Sequence, residues 1–268
     1  MRQPPARLLA SVAIVASLAG GGCSTTTKQV SPDTTGSIAT DTAPRTPAQW
    51  RQEMDAWGER YRANPADPNA AIRFAQALRA VGQRAQAAAV LEQAAIHNPD
   101  NRVVLGAFGR ALADSGSYQQ ALEVLNRAHT QDQPDWRILS VQGAVLDQMG
   151  RHADAQRHYA SALRLMPDEP SVLSNLGLSY ALSKNLKEAE VTLQRAAAQR
   201  GAEPKVRQNL ALVVGLQGRF QEAETIAKGD LSPSEAAANV AYLRQMLAQQ
   251  GDWKKGKRGS PLVPTTGS

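Results

Sequence analysis

The chain has 268 residues, one cysteine, 4% aromatic residues and a formal net charge of +6. A single cysteine excludes an intramolecular disulfide framework, and the low aromatic content argues against a voluminous ligand pocket. Nucleic-acid binding needs a basic face interleaved with aromatic side chains, and because the sequence has no such pattern we expect no nucleic-acid partner.

Residues 1–22 have the pattern of an export signal peptide. Two arginines precede the apolar stretch 8–19, whose 12 residues fall short of the roughly 20 that a membrane-spanning helix needs. Small residues then precede Cys23, which resembles the lipobox of bacterial lipoproteins and implies that Cys23 becomes the lipidated first residue. Gly20 stands where that motif usually has Leu, which leaves an ordinary secretory signal and an uncleaved helix as alternatives.

Residues 23–46 comprise this cysteine and a segment rich in Thr, Ser, Pro and Gly that has no apolar period. That composition predicts a disordered tether, which would hold the folded part of the chain off a membrane. Ser24, and not Asp, follows Cys23, which in similar lipoproteins favours the outer membrane with the protein facing the periplasm. A soluble periplasmic location is the alternative.

A capping helix is predicted over residues 47–66. Thr46 and Gln49 have the spacing of a capping box, with Pro47 at the first helical position. The helix has an apolar stripe at helical spacing, formed by Trp50, Met54, Trp57 and Tyr61. We expect this stripe to pack on the element that follows, and a partner-binding surface is the alternative.

A period of 34 residues governs residues 68–230. Small residues recur at three phases of it, as Ala87, Ala121, Ala155, Ala189 and Ala223, as Gly82, Gly116, Gly150 and Gly218, and as Ala94, Ala128, Ala162 and Ala196. Each unit has two apolar runs at helical spacing around a turn, so the sequence predicts five antiparallel helix pairs stacked into a solenoid. Lys184 replaces the turn glycine in the fourth unit, where we expect Asn185 to supply the left-handed conformation.

This pattern resembles the tetratricopeptide repeat, whose 34-residue signature places Leu-Gly, Tyr and Ala in this order. The fourth unit shows it as Leu176, Gly177, Tyr180 and Ala189. The signature Trp is missing, and Pro134 is shifted by one position in the second unit. The resemblance implies an all-α, right-handed α-solenoid of about five tetratricopeptide helix pairs with flanking capping helices.

The second capping helix is predicted over residues 232–250. Ser232 and Glu235 repeat the capping-box spacing. The buried stripe of this helix is expected to consist of Ala236, Val240, Leu243 and Leu247. Residues 251–268 carry a cluster of basic residues and are predicted to be a disordered, solvated tail, with contact to anionic lipid or cell-wall polymer as the alternative.

Residues suited to catalysis or metal binding do not converge in this sequence. The four histidines occupy four different phases of the repeat, and no two of them have ligand spacing on one helix face. No serine lies in a nucleophile-elbow context, and the one cysteine lies at the export junction. We therefore expect no catalytic residue, no metal site and no cofactor, and a protein that is not an enzyme.

A solenoid of helix pairs offers a concave groove lined by the first helix of each pair. Carrying over the family's groove positions assigns a peptide-binding role to Ile72, Gln76, Arg79, Val103, Arg110, Arg137, Asp147, Asn175, Leu178, Leu182, Lys205, Asn209 and Leu212, with Asp114, Ser140 and Ser174 beside them. Apolar anchoring of an extended or helical peptide is expected, with Asn175 and Asn209 free to bind its backbone. Contact with neighbouring helices is the alternative for the leucines. Lys205 and the two asparagines supply only part of the family's carboxylate clamp.

The export signal, the lipobox-like cysteine, the tether and the five repeats together resemble the tight-adherence (Flp) pilus assembly protein TadD family. That resemblance implies an accessory, pilotin-like lipoprotein that binds a protein or peptide client, with the pilus secretin subunit as the candidate. An envelope adaptor that organises cell-wall hydrolases or synthases is the alternative, and a periplasmic enzyme is a third reading.

Overall fold

The computed structural model describes residues 45–130, 132 and 134–258, with the backbone alone described for 250–258. The predicted signal peptide, Cys23, nearly all of the predicted tether and residues 259–268 of the predicted tail lie outside the described residues. None of the described helices combines the length and hydrophobicity that spanning a bilayer requires.

The described part of the chain forms twelve helices and no strand. In chain order they are α1 (Pro47–Ala63), α2 (Pro68–Ala80), α3 (Arg84–His97), α4 (Arg102–Asp114), α5 (Tyr118–Ala128), α6 (Trp136–Gln148), α7 (His152–Leu165), α8 (Pro170–Leu182), α9 (Leu186–Ala197), α10 (Pro204–Leu216), α11 (Phe220–Ala227) and α12 (Pro233–Arg258). Each helix packs on the next, and α2 to α11 form five successive pairs within residues 68–230. The predicted all-α solenoid of helix pairs is confirmed.

The 34-residue period also sets where the first helix of each pair begins. The N-cap residues are Asp67, Asn101, Asp135, Glu169 and Glu203, each one period after the last. The first four side chains accept a hydrogen bond from a backbone N–H of the first turn, as Asp135 does from Arg137 at 2.8 Å. Such caps satisfy N–H groups that have no partner inside the helix.

The turns inside the pairs are left-handed at one residue each. Gly82, Gly116, Gly150 and Gly218 have φ between 75° and 86°. In the fourth pair Lys184 itself takes this conformation, with φ 67°, while Asn185 has φ −89°. The expectation that Asn185 would supply this conformation is wrong. The geometry of the helix pair fixes which position of the turn must be left-handed, and in the fourth pair Lys184 occupies the position that glycine has in the other four.

Small residues lie where paired helices approach most closely. Ala87, Ala121, Ala155, Ala189 and Ala223 are fully buried. A Cβ added to Gly143 would lie 2.6 Å from Cε1 of Tyr159 on the partner helix, and one added to Gly177 would lie 2.6 Å from Cγ of Leu193. Because interiors are close-packed, these positions admit no larger side chain without a shift of the pair.

Helix α1 lies against the first pair. Its capping box is formed, since Thr46 Oγ1 accepts from the Gln49 amide at 3.2 Å and Gln49 Oε1 accepts from the Thr46 amide at 2.7 Å. Met54, Trp57 and Tyr61 pack on the core of the first pair, and the Tyr61 and Phe74 rings lie 5.7 Å apart. This contact covers apolar surface that the open end of the stack would otherwise expose.

Helix α12 covers the other end. Ala236 and Val240 are buried against α10 and α11, and Leu243 fills the space over Gly215. The helix continues to Arg258, so the prediction that a disordered tail starts at residue 251 is wrong for its first eight residues. The two interior glycines, Gly251 and Gly256, cost a helix only about 1 kcal/mol each, and no proline interrupts the chain between Pro233 and Pro261.

Candidate functional site

The first helices of consecutive pairs line one side of the stack. Helix α2 contacts α4, α4 contacts α6, α6 contacts α8 and α8 contacts α10, whereas the described second helices α3, α5, α7, α9 and α11 make no such contacts with one another. The side on which successive helices approach more closely is the concave side of a curved stack. The first helices therefore form the wall of the groove.

Two pockets follow one another along this groove. The front pocket has a volume of about 560 Å³. It is lined by Arg79, Arg110, Ala113, Asp114, Tyr118, Trp136, Arg137, Ser140, Val141, Ala144, Val145, Gln148, Ser171 and Asn175. The rear pocket, of about 230 Å³, is lined by Glu169, Pro170, Ser171, Ser174, Asn175, Leu178, Gly201, Glu203, Lys205, Val206 and Asn209. Ser171 and Asn175 line both pockets, so the groove is continuous from α2 to α10.

Hydrogen bonds between residues 35 positions apart tie the groove wall together. Asn175 Nδ2 donates to Ser140 Oγ at 3.3 Å, linking α8 to α6. Asn209 Nδ2 donates to Ser174 Oγ at 3.0 Å and links α10 to α8 in the same way. Both asparagines were predicted to be free, and this is corrected: each donates one amide hydrogen to the wall and keeps one N–H and its carbonyl oxygen for a ligand.

The front pocket brings together three of the predicted arginines. Arg79 Nε donates to the Asp114 carboxylate across α2 and α4, 35 residues apart in the chain. The Arg137 guanidinium lies 4.5 Å from the centre of the Trp136 ring, a cation–π contact. Arg110 and Arg137 form no ion pair with any described residue, so the pocket retains positive charge.

The protein around Arg110 lowers the pKa of its guanidinium group. Desolvation by the surrounding protein is the largest influence, and with the charge of Arg79 it lowers the pKa of Arg110, while Asp114 and Asp135 act in the opposite direction. The Asp135 carboxylate already accepts the Arg137 amide as an N-cap. Arg110 stays protonated, since an arginine side chain does not lose its proton in proteins.

The rear pocket has a different charge. Lys205 is its one basic side chain, and Glu169 and Glu203 are both acidic. Leu178 contributes a half-buried apolar surface. The groove is therefore positive at its front and slightly negative at its rear.

The remaining predicted groove residues lie outside both pockets. Ile72 is half-buried and packs on the core of the first pair. Gln76 is exposed, and so are Val103 and Leu182. Leu212 is half-buried on α10. Among the apolar residues that were predicted to anchor a peptide, Leu178 is therefore the one that lines a pocket.

Asp147 is not a groove residue, which corrects the prediction. It is 8% exposed and accepts three hydrogen bonds, from Ser179 Oγ at 2.8 Å, His152 Nδ1 at 2.8 Å and Tyr159 Oη at 3.1 Å. Burial and this carboxylate raise the pKa of Tyr159 well above its usual value. The cluster joins α6, α7 and α8. The only sequence signal for it is an acidic residue that directly follows apolar residues near the end of α6.

No group of three or more His, Cys, Asp or Glu side chains in the part of the chain that the structure describes is placed to hold a metal ion. The groove chemistry is that of hydrogen-bond donors, guanidinium groups and short apolar patches.

Comparison with known proteins identifies the repeats. The family model described as "Tetratricopeptide repeat" matches residues 78–144 and 148–213. "TPR repeat-containing protein PA4667" of Pseudomonas aeruginosa is 38% identical over 80 residues, which cover 30% of this chain and 13% of that protein. "Uncharacterized protein y4yS" of Sinorhizobium fredii is 34% identical over 113 residues, covering 42% and 61%. The chain thus spans less than two thirds of either relative.

Solved structures share the fold at low sequence identity. PilW, described as a widely conserved type IV pilus biogenesis factor, superposes with a TM-score of 0.62 at 15% identity over 72% of this chain and 91% of its own. TTC0263, described as a thermophilic TPR protein of Thermus thermophilus, gives a TM-score of 0.59 at 21% identity over 67% and 100%.

Proposed function

The chain contains tetratricopeptide repeats, and from this premise we propose that it is a non-enzymatic scaffold that holds a peptide segment of a client protein in its concave groove. The observation that carries this proposal is the continuity of the groove. Its two pockets share Ser171 and Asn175.

The groove wall is suited to an extended peptide. The Ser140–Asn175 and Ser174–Asn209 hydrogen bonds orient two amide groups one repeat apart, and each keeps an N–H and a carbonyl for a peptide backbone. A wall that is ordered before binding lowers the entropy cost of capturing a ligand. Leu178, which lines the rear pocket together with both asparagines, offers an apolar contact for one client side chain.

We further propose the setting in which the scaffold acts. The pattern of residues 1–22 and the lipobox-like Cys23 support export and lipidation, with the repeats tethered at the periplasmic face of the outer membrane. There the protein serves as an accessory, pilotin-like factor in tight-adherence pilus assembly, with the secretin subunit as client. The shared fold with PilW, described as a type IV pilus biogenesis factor, offers a precedent for such repeats in pilus assembly.

Site-specific photo-crosslinking tests the groove. A photoreactive residue replacing Leu178 in the rear pocket should form a covalent adduct with the secretin subunit in cells that produce both proteins. The matched control replaces Val191, which is 66% exposed on the second helix α9. Equal labelling from both positions, or labelling only from Val191, would remove the groove as the binding site.

Two further measurements test the setting. Mass spectrometry of the mature N-terminus should give a diacylated or triacylated Cys23, and an unmodified terminus elsewhere contradicts the lipid anchor. Adducts from Leu178 that contain a cell-wall hydrolase or synthase instead of the secretin would contradict the pilus role and leave the scaffold intact.

A further inference from the structure

The charge of the groove narrows the class of client, an inference that rests on the proposed peptide-binding function. We infer that the front pocket recognises an internal acidic segment, in which side-chain carboxylates spaced three or four residues apart meet Arg79, Arg110 and Arg137 in turn. The rear pocket then takes an uncharged or basic part of the same segment.

Uncompensated positive charge is the first support. Three guanidinium groups line the front pocket and one carboxylate, Asp114, lies among them. That carboxylate accepts from Nε of Arg79, whose two terminal nitrogens remain for a client, while Arg110 and Arg137 form no ion pair with an acidic side chain among the described residues. Guanidinium groups bind carboxylates through paired hydrogen bonds, so a client carboxylate supplies what these two side chains lack.

The arrangement of the three arginines supports a segment over a single terminal carboxylate. Arg79 is the twelfth residue of α2, Arg110 the ninth of α4 and Arg137 the second of α6. Neighbouring helices pack about 8–10 Å apart and a helix rises about 1.5 Å per residue, which puts successive arginine backbones about 10–14 Å apart on a diagonal. An extended chain covers that distance in about three or four residues.

The charges of the rear pocket determine in which direction the client segment lies along the groove. Beyond Asn175 the groove meets Glu169 and Glu203 with Lys205 as the one base, so further acidic residues would be repelled there. Glu169 Oε1 is partly engaged by Ser171 Oγ at 2.8 Å, which leaves its other oxygen open. From these charges we expect the acidic end of the client segment to lie at α2 to α6 and its uncharged or basic end to lie at α8 to α10.

Binding of synthetic peptides tests the inference. The probe is an acetylated, amidated twelve-residue peptide with three glutamates every third or fourth residue and Ala, Ser and Leu elsewhere, and its partner has glutamine in place of each glutamate. Fluorescence anisotropy with the full-length protein should give at least a tenfold lower Kd for the glutamate peptide at low salt. The advantage should shrink as ionic strength rises, because salt screens the charges.

Variants of the front pocket test whether its arginines cause the preference for the glutamate peptide. Arg110→Gln combined with Arg137→Gln should remove the tenfold preference and leave binding of the glutamine peptide unchanged. Arg164→Gln, an exposed arginine on the second helix α7, is the matched control and should keep the preference. Helicity by circular dichroism confirms that each variant is folded.

The outcomes separate this inference from the proposed function. Equal Kd values for the two peptides, with secretin adducts still formed from the Leu178 position, overturn the acidic specificity and leave the groove function standing. Loss of groove adducts overturns the proposed function itself. Tight binding only when the peptide has a free carboxyl terminus shows that a chain end is recognised, which also overturns the inference.

Discussion

Asn209 donates a hydrogen bond from Nδ2 to Ser174 Oγ at 3.0 Å and so joins the first helices of the last two repeats across the groove wall. Asn175 and Ser140 repeat the contact one repeat earlier. Because hydrogen bonds are directional, these contacts add to the apolar packing between repeats a constraint on how successive first helices lie against each other.

We expect Ser174→Ala to lower the free energy of unfolding by about 1 kcal/mol, since it removes the partner of the Asn209 amide in a buried position. Thermal unfolding followed by circular dichroism measures the loss. Ser161→Ala, whose hydroxyl donates to a carbonyl of its own helix, should change stability by less than about 0.5 kcal/mol. An equal effect in the two variants would contradict a stabilising role for the wall contact.

Lys184→Gly should stabilise the protein by about 0.5–1 kcal/mol. The backbone at Lys184 has φ 67°, which strains a residue with a Cβ and leaves glycine unstrained. The converse test is Gly116→Ala, at φ 86° with no atom within 4 Å of the added Cβ, so that any loss comes from the backbone. The melting temperatures should shift in opposite directions, and a drop for Lys184→Gly would refute the strain.

Gly177→Ala should destabilise the fourth pair by about 1–3 kcal/mol, because the new Cβ would lie 2.6 Å from Leu193 Cγ and 3.2 Å from the Ala189 carbonyl oxygen. In Gly58→Ala the new Cβ would lie 3.1 Å from the edge of the Phe74 ring and 3.6 Å from Nη1 of the flexible Arg62 side chain, and the helix gains propensity. We expect the effect of this substitution to be much smaller, as measured by chemical denaturation. Similar losses in both variants would indicate that close approach is not the cause.

The Asp147 cluster predicts a pH dependence at the alkaline end. The pKa of Tyr159 is raised in the folded state, so the fold keeps the phenol neutral while the unfolded chain loses its proton above about pH 10. The contribution of Tyr159 is complete below about pH 10, and above it stability should fall by about 1.4 kcal/mol per pH unit.

The control for this prediction is Tyr159→Phe. It should be less stable at neutral pH, because the buried Asp147 carboxylate loses one of its three donors, and its stability should decline less steeply above about pH 10. Parallel pH profiles for the two proteins would show that Tyr159 does not titrate differently on unfolding.

Most of the fold could be predicted because its contacts repeat along the chain. Ala87 and its counterparts are buried since each faces the partner helix of its own pair, a contact that lies within a single 34-residue unit. The prediction failed at Lys184, where residue preference pointed to Asn185 but the position of the turn was already set by the helices on both sides.

The groove was predicted only in part, for a related reason. Of the residues at the family positions, Arg79, Arg110, Arg137 and Asn175 line the front pocket, because the orientation of a first helix follows from the repeat, and their role in binding a peptide stays a prediction. The family positions misplaced Asp147, whose side chain turns inward to meet Ser179 on the next first helix. Which polar residues pair across repeats depends on contacts between units, and a period within one unit carries no information on them.

The amino-acid sequence by itself determined the five helix pairs, the place of the turn in each pair and the presence of the two end helices, because local periodicity dictates which face of each helix is apolar. Only the tertiary structure decided that the Ser140–Asn175 and Ser174–Asn209 contacts build the wall and that Arg110 and Arg137 lie in one pocket without an ion-pair partner among the described residues. Those facts depend on the distance and angle between stacked pairs, which set the atoms that come within hydrogen-bonding reach.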